Sequence, residues 1–310
     1  MKFRHITQAL AGCAAALLLL QAPLSAAEEI DGYPGKLVLH TQGPGPKEER
    51  LRVPIAVYQD AQGRRVDLIG AIHLADGAYY RRLNRRFKSY DKLLYEMVNG
   101  EHLSEMLWLR KKASKGELTP DERERLSTLE AECDEAADSS VVMGLLHYYY
   151  DFMSAKMGFT MQADGIDYGQ PNFVYADMSQ EEFEAAMAEG GESWMGYFID
   201  ALAESFKNGE ILAGSALDAS SPVAMRRYLM KIMAKSMESQ PMDDKAIVVA
   251  RNIRCMEVLD RELADPAVRK VGIFYGAAHL RDMDARLRER GFELQSVEWM
   301  TAWKVGSKLK

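Results

Sequence analysis

The sequence predicts an α/β fold: a central mixed sheet built from N- and C-terminal βαβ half-units, with a large helical insertion between them. Three observations carry this. An apolar run of strand length stops at a glycine and delivers a histidine three residues later at Val66-Asp67-Leu68-Ile69-Gly70-Ala71-Ile72-His73, and the same device returns at Val271-Gly272-Ile273-Phe274-Tyr275-Gly276-Ala277-Ala278-His279. Each copy leads into an amphipathic helix and then another strand, the signature of a βαβ unit. The chain between the two copies reads as helices.

The elements follow in order. Leu51 to Tyr58 and Arg64 to Ile69 read as strands joined by the turn Asp60-Ala61-Gln62-Gly63, a hairpin that leads to the first glycine. Asp76 to Phe87 is an amphipathic helix, and Tyr90 to Val98 a second core strand carrying Glu96. Leu103 to Ser114 is helical. Thr119-Pro120-Asp121-Glu122 opens the next helix, to about Ala137, with a capping box and a proline at the first helical position. Further helices fit Val141 to Met157, Ser179 to Glu189 (again opened by a capping box), Met195 to Asn208, Pro222 to Met237 and Asp243 to Leu263. Val271 to Tyr275 is strand, Arg281 to Arg290 helix, and Glu293 to Met300 a closing strand that carries Glu298 where the first half carries Glu96.

Composition sets the bounds. The 310 residues are 47% hydrophobic and 27% charged, enough for a sizeable core. Residues 1–27 read as a signal peptide: Lys2 and Arg4, the apolar run Ala14 to Leu20, then Pro23, Ser25, Ala26 and Ala27. The expected location is therefore the periplasm or the exterior. Leu10-Ala11-Gly12-Cys13 also matches a lipobox, but the main apolar run follows that box instead of preceding it. Residues 28–310 then form one domain, with 103–240 as the insertion or lid. The net charge of −7 becomes −7 − 2 = −9 without Lys2 and Arg4. An acidic chain without a basic stripe argues against nucleic acid and against an anionic membrane surface. No membrane span remains after the signal, and the oligomeric state is left open. Cys133 and Cys255 are either a disulfide or two buried thiols.

The candidate chemistry lies at strand ends, where open α/β sheets place their sites. One GxxH alone reads as a histidine bonded to backbone; the matched pair, Gly70 with His73 and Gly276 with His279, points to one site. Glu96 ends an apolar stretch, where a carboxylate is costly unless paired or metal-bound. Two histidines and a carboxylate suit Zn²⁺, Mn²⁺, Fe²⁺ or Co²⁺. Arg251-Asn252 follows an apolar helical segment, so Arg251 either clamps a carboxylate or forms a buried structural pair. Asp164 reads as turn chemistry, and Asp167 and Tyr168 as a loop at the site mouth. His102 and His147 have no partners by spacing. The absence of GxSxG, P-loop, GxGxxG and HExxH patterns removes the common serine hydrolase, nucleotide-binding and gluzincin readings.

Together these residues resemble the TraB/PrgY/GumN family, to which the animal Tiki proteins belong, within a superfamily that includes erythromycin esterase-like and ChaN-like proteins. The resemblance runs from about Val53 to Trp303. It rests on Gly70-Ala71-Ile72-His73, Tyr90-Asp91 to Glu96, Asp164 to Tyr168, Asp177-Met178-Ser179, Arg251-Asn252 and Gly276-Ala277-Ala278-His279-Leu280. Ala250 stands where the family often carries Glu. The resemblance implies an α/β fold of paired half-units. For the Tiki branch it implies metal-dependent peptidase activity through the two GxxH histidines and the glutamate, and for the ChaN-like branch haem or iron binding.

The expected function is an exported metal-dependent hydrolase acting on an amide bond of a peptide or small molecule. His73, His279 and Glu96 are the expected metal ligands, with Glu96 as third ligand or general base. Arg251 would stabilise an oxyanion or hold a substrate carboxylate, and Gly70, Gly276, Asn252, Asp167 and Tyr168 would support the site. A haem- or iron-binding protein, a metal-free esterase with one histidine as general base, and a non-catalytic scaffold are the alternatives.

Overall fold

The computed structural model describes residues 31–45, 47–98, 100–136, 155–191, 221–239 and 246–306. The expectations for residues 1–27, for Val141 to Met157 apart from its last turn, for His147 and for Met195 to Asn208 fall outside them, as does the Cys133 side chain. Cys255 is a buried free thiol.

The strands are β1 (Leu39–Gln42), β2 (Glu49–Gln59), β3 (Arg65–Ala71), β4 (Leu74–Ala75), β5 (Lys92–Tyr95), β6 (Thr160–Met161), β7 (Phe173–Tyr175), β8 (Lys270–Gly276) and β9 (Glu293–Val305). The helices are α1 (Gly77–Phe87), α2 (Leu103–Ala113), α3 (Pro120–Ala136), α4 (Gln162–Gly165), α5 (Gln180–Glu189), α6 (Pro222–Ser239), α7 (Ala246–Leu263) and α8 (Leu280–Glu289). The fold is mixed α/β around a mixed sheet.

Strand β2 organises the antiparallel side. It pairs with β9 along its whole length, so β1 and β3 share its other edge: β1 over residues 49–52 and β3 over residues 55–59. Pro54 sits where one of these partners ends and the next begins, so its missing N–H costs no ladder bond on that edge. From β3 the sheet continues in parallel through β8, β5 and β7. These strands are covered on both faces, which explains why Val271, Ile273, Phe274 and Tyr275 of β8 are all buried.

Helix α1 covers one face. It buries Tyr79, Tyr80, Leu83 and Phe87, and the Phe87 ring lies 5.0 Å from Phe274 and 5.8 Å from Phe173. Helix α8 covers the other face, where the Tyr58 hydroxyl donates to Asp284 at 2.5 Å, and α7 packs beside it. Both predicted capping boxes are present, Thr119 with Glu122 and Ser179 with Glu182.

Three features depart from the sequence reading. First, β3 and β5 are parallel but not neighbours, because β8 lies between them. The two halves of the chain therefore interleave in one sheet instead of forming separate pairs. Secondly, β9 runs at the antiparallel edge beside β2, which takes Glu298 to the α1 face. There it accepts from Arg86 at 2.5 Å with its side chain 53% exposed. Glu298 is not the counterpart of Glu96. Thirdly, the insertion is not wholly helical: it contributes β7 beside β5, and β6 beside β4. Runs of two or three residues carry too little alternation to announce themselves as strands.

Candidate active site at the strand ends

The parallel strands β3, β8, β5 and β7 end along one rim in that order. Ala71 lies opposite Gly276, and Tyr95 lies opposite both Phe274 and Tyr175. The residues that follow are His73, His279, Glu96 and Asp177. The two strands expected to bring their histidines together are adjacent, and Glu96 comes from the next strand along.

Glu96 is the centre of a dense polar cluster. Its Oε2 accepts the Gly276 N–H at 2.5 Å. Its Oε1 lies 2.8 Å from Arg251 Nη2 and 3.5 Å from His279 Nε2. Arg251 also grips Asp177 bidentately, with Nε at 2.9 Å from Oδ1 and Nη2 at 2.5 Å from Oδ2. Arg251, Asp177 and His279 are all buried, and the Glu96 side chain is 12% exposed. Both sequence alternatives for Arg251 are therefore met at once: it clamps Glu96, and it does so within a buried ion network.

The glycines of the doubled motif act through close approach. Neither has a left-handed backbone. A Cβ on Gly276 would stand 3.3 Å from Glu96 Oε2, where the carboxylate reaches the strand-end N–H. A Cβ on Gly70 would meet Pro54 at 3.2 Å and Leu280 at 3.4 Å. The Gly70 carbonyl accepts from Tyr79 at 2.8 Å, which ties the first strand end to α1.

Asn252 fixes the His279 ring. Its Nδ2 donates to the His279 carbonyl at 3.2 Å and to Asp282 at 2.7 Å, so its Oδ1 is the atom that faces His279 Nδ1 at 2.7 Å. Nδ1 then carries the proton in the neutral ring, and Nε2 presents a lone pair.

Burial by itself would raise the Glu96 pKa. Arg251, then His279 and His73, and the Gly276 N–H outweigh it and lower the carboxyl to about 2. Burial pushes the His279 pKa down, opposed by Glu96 without being cancelled. Burial also works against the Arg251 charge, but Glu96 and Asp177 overcome it and push its pKa up. Near neutrality the cluster is thus an ionised Glu96, a protonated Arg251 and a neutral His279.

His73 differs from His279. It is exposed at the rim, close enough to act electrostatically on Glu96. Its carbonyl accepts the Gln162 N–H at 2.8 Å, beside the β4–β6 pair. Tyr168 lies in the core next to this strand end: it is buried, its ring lies 5.5 Å from Tyr95, and its hydroxyl accepts from Gln162 at 3.1 Å.

Asp167 is not part of the cluster, contrary to expectation. It pairs with Lys111 at 3.0 Å and lines a separate cleft with Tyr90, Trp108 and Asn172, by the start of β5 and β7. Asp164 is exposed, and His102 lies at the start of α2, 3.9 Å from Glu105.

The sequence reading assigned no role to Asp177. The available signal was an acid closing the apolar run Phe173 to Ala176, much as Glu96 closes its own strand. Asp177 is placed twice over, by β7 before it and by the α5 capping box after it, and its Oδ1 accepts the Met178 N–H at 2.9 Å. Beneath it, the Tyr275 hydroxyl donates to the Ala176 carbonyl.

The donor chemistry fits a divalent transition metal. His279 Nε2 and Glu96 Oε1 are two acceptors facing each other at 3.5 Å, an arrangement that a cation would satisfy. Each carboxylate oxygen can accept twice, so Glu96 retains capacity beside Arg251 and Gly276. Among the described residues no three such side chains already stand at metal-binding separation, and His73 is exposed at the rim. No protein-family model matches this chain, and no curated protein matches it.

Proposed function

We propose that this chain is an exported metal-dependent hydrolase of the TraB/PrgY/GumN type, cleaving an amide bond in a peptide-like substrate. The observation that carries the proposal is the His279 imidazole, held by Asn252 with its Nε2 lone pair aimed at an ionised Glu96. His279, His73 and Glu96 would hold Zn²⁺, Mn²⁺, Fe²⁺ or Co²⁺. When bound, such a metal lowers the pKa of its water and polarises a carbonyl.

The chain's own residues then have distinct tasks. With a carboxyl pKa of about 2, Glu96 is too weak a base to take a proton from water efficiently near neutrality; it serves as a fixed negative ligand. Arg251 has committed Nε and Nη2 to the two acids, which leaves the Nη1 donors to meet charge developing on a substrate oxygen. Asn252 holds the His279 tautomer, as an outer-shell group does in metal sites.

The test uses residues 28–310 loaded with each of the four metals and offered a mixed peptide library, with cleavage read by mass spectrometry. Cleavage should require metal, stop on chelation, and fall by at least about 100-fold in His279→Ala. Cleavage that survives chelation supports a metal-free hydrolase. A Soret band on adding haem, with no cleavage under any metal, supports a haem-binding protein and overturns the proposal.

A further inference from the structure

Asp177 has no role in the hydrolytic scheme above, yet it holds Arg251 by two short contacts. Its side chain is wholly buried. It takes two of the Arg251 nitrogens, at 2.9 and 2.5 Å, whereas Glu96 receives only Nη2, at 2.8 Å. One guanidinium is thus shared by two carboxylates, and the larger share goes to Asp177. We propose that Asp177 is a positioning residue that sets the cation affinity of the His73, Glu96 and His279 site, by holding Arg251 back from full pairing with Glu96.

The inference rests on the metal-binding reading, and its physics is a charge sum. Glu96, Asp177 and Arg251 give −1 − 1 + 1 = −1, with both histidines neutral when they act as ligands. Neutralising Asp177 brings the sum to zero. It also frees Nε and Nη2 to close on Glu96 as a fork, the geometry that guanidinium and carboxylate favour. Glu96 would then have less charge and fewer lone pairs for a metal. Neutralising Arg251 as well returns the sum to −1 and leaves Glu96 unclamped. A merely structural tie between α7 and the end of β7 makes the opposite forecast: removing its second partner cannot repair the loss of its first.

The experiment is Co²⁺ binding to residues 28–310, followed by visible absorption and calorimetry, with thermal melts to confirm folding. Wild type should bind. Asp177→Asn should bind about 10–100-fold more weakly, the scale of outer-shell effects at metal sites. Asp177→Glu, which keeps the charge, should stay nearer to wild type. The double variant Asp177→Asn with Arg251→Gln should recover most of the lost affinity. Unchanged affinity in Asp177→Asn, or a double variant no better than that single one, overturns the role of Asp177 while leaving the metal reading intact. A wild type that binds no Co²⁺ overturns both. Should Asp177→Asn fail to fold, the double variant decides alone, since it must bind like wild type.

Discussion

At the scale of single residues, the strand-end cluster ties stability to pH. The Glu96 carboxyl is ordinarily near 4.5 and stands at about 2 in the fold. A depressed folded-state pKa means stability that is present above the unfolded value and lost as pH falls through the folded one. His279 acts in the same direction, since its depressed pKa means that acid favours the unfolded, protonated ring. Stability should therefore fall from just above pH 6 downwards, with the Glu96 share, roughly 3 kcal/mol, lost between about pH 4.5 and 2. Urea unfolding of wild type against Glu96→Gln across this range checks it: the variant should show a flatter acid limb, and parallel limbs contradict the assignment. A second prediction concerns Gly276→Ala. Its Cβ, 3.3 Å from Glu96 Oε2, should displace the carboxylate from the strand-end N–H. The expected cost is about 1–2 kcal/mol of unfolding free energy, together with weaker Co²⁺ binding. Unaltered binding would show that the carboxylate does not depend on this anchor.

At the scale of elements, long periodic segments were legible in the sequence and short ones were not. Helices α1, α5 and α8 and strands β2, β3 and β8 lie where periodicity and capping residues put them. Both capping boxes carry their own chemistry in four residues, so tertiary context is not needed to read them. Strand β7 has three residues and no alternation, so the strand that delivers Asp177 does not stand out from the helical insertion around it. The place of Glu298 was left open for another reason. Strand pairing is non-local, and nothing in Val297-Glu298-Trp299 says that β9 pairs with β2 instead of lying at the rim. Two predictions belong here. Ser179→Ala removes the α5 N-cap that accepts from Glu182 at 3.2 Å, and should cost about 1 kcal/mol in chemical denaturation. Glu298→Ala should change stability by no more than about 0.5 kcal/mol and leave Co²⁺ affinity unaltered, because its pair with Arg86 is exposed. A loss of metal affinity in that variant would place Glu298 in the site.

At the scale of the whole molecule, the interleaving of chain ends builds the site. The N-terminal half supplies β3 and β5, and β8 from the C-terminal half enters between them. His73, His279 and Glu96 thereby come to neighbouring strand ends, and the repeat in the sequence becomes adjacency in space. The doubled motif singled out the two histidines, and the buried position of an acid singled out Glu96; the structure places all three at neighbouring strand ends. The ion network that joins Glu96, Arg251 and Asp177 was only half legible, because its third member arrives on a strand too short to read. The two histidines also differ more than their matched motifs indicate: one is buried and locked by Asn252, the other exposed at the rim. On the proposed metal reading, His279 would be a fixed ligand and His73 one that turns inward. The most direct test is X-ray absorption at the metal edge of Co²⁺-loaded residues 28–310. Two imidazole nitrogens at about 2.0–2.2 Å are expected, with one lost in His73→Ala and one in His279→Ala. A spectrum without imidazole scattering, or one unchanged by both substitutions, contradicts the assignment of this strand-end cluster as a metal site.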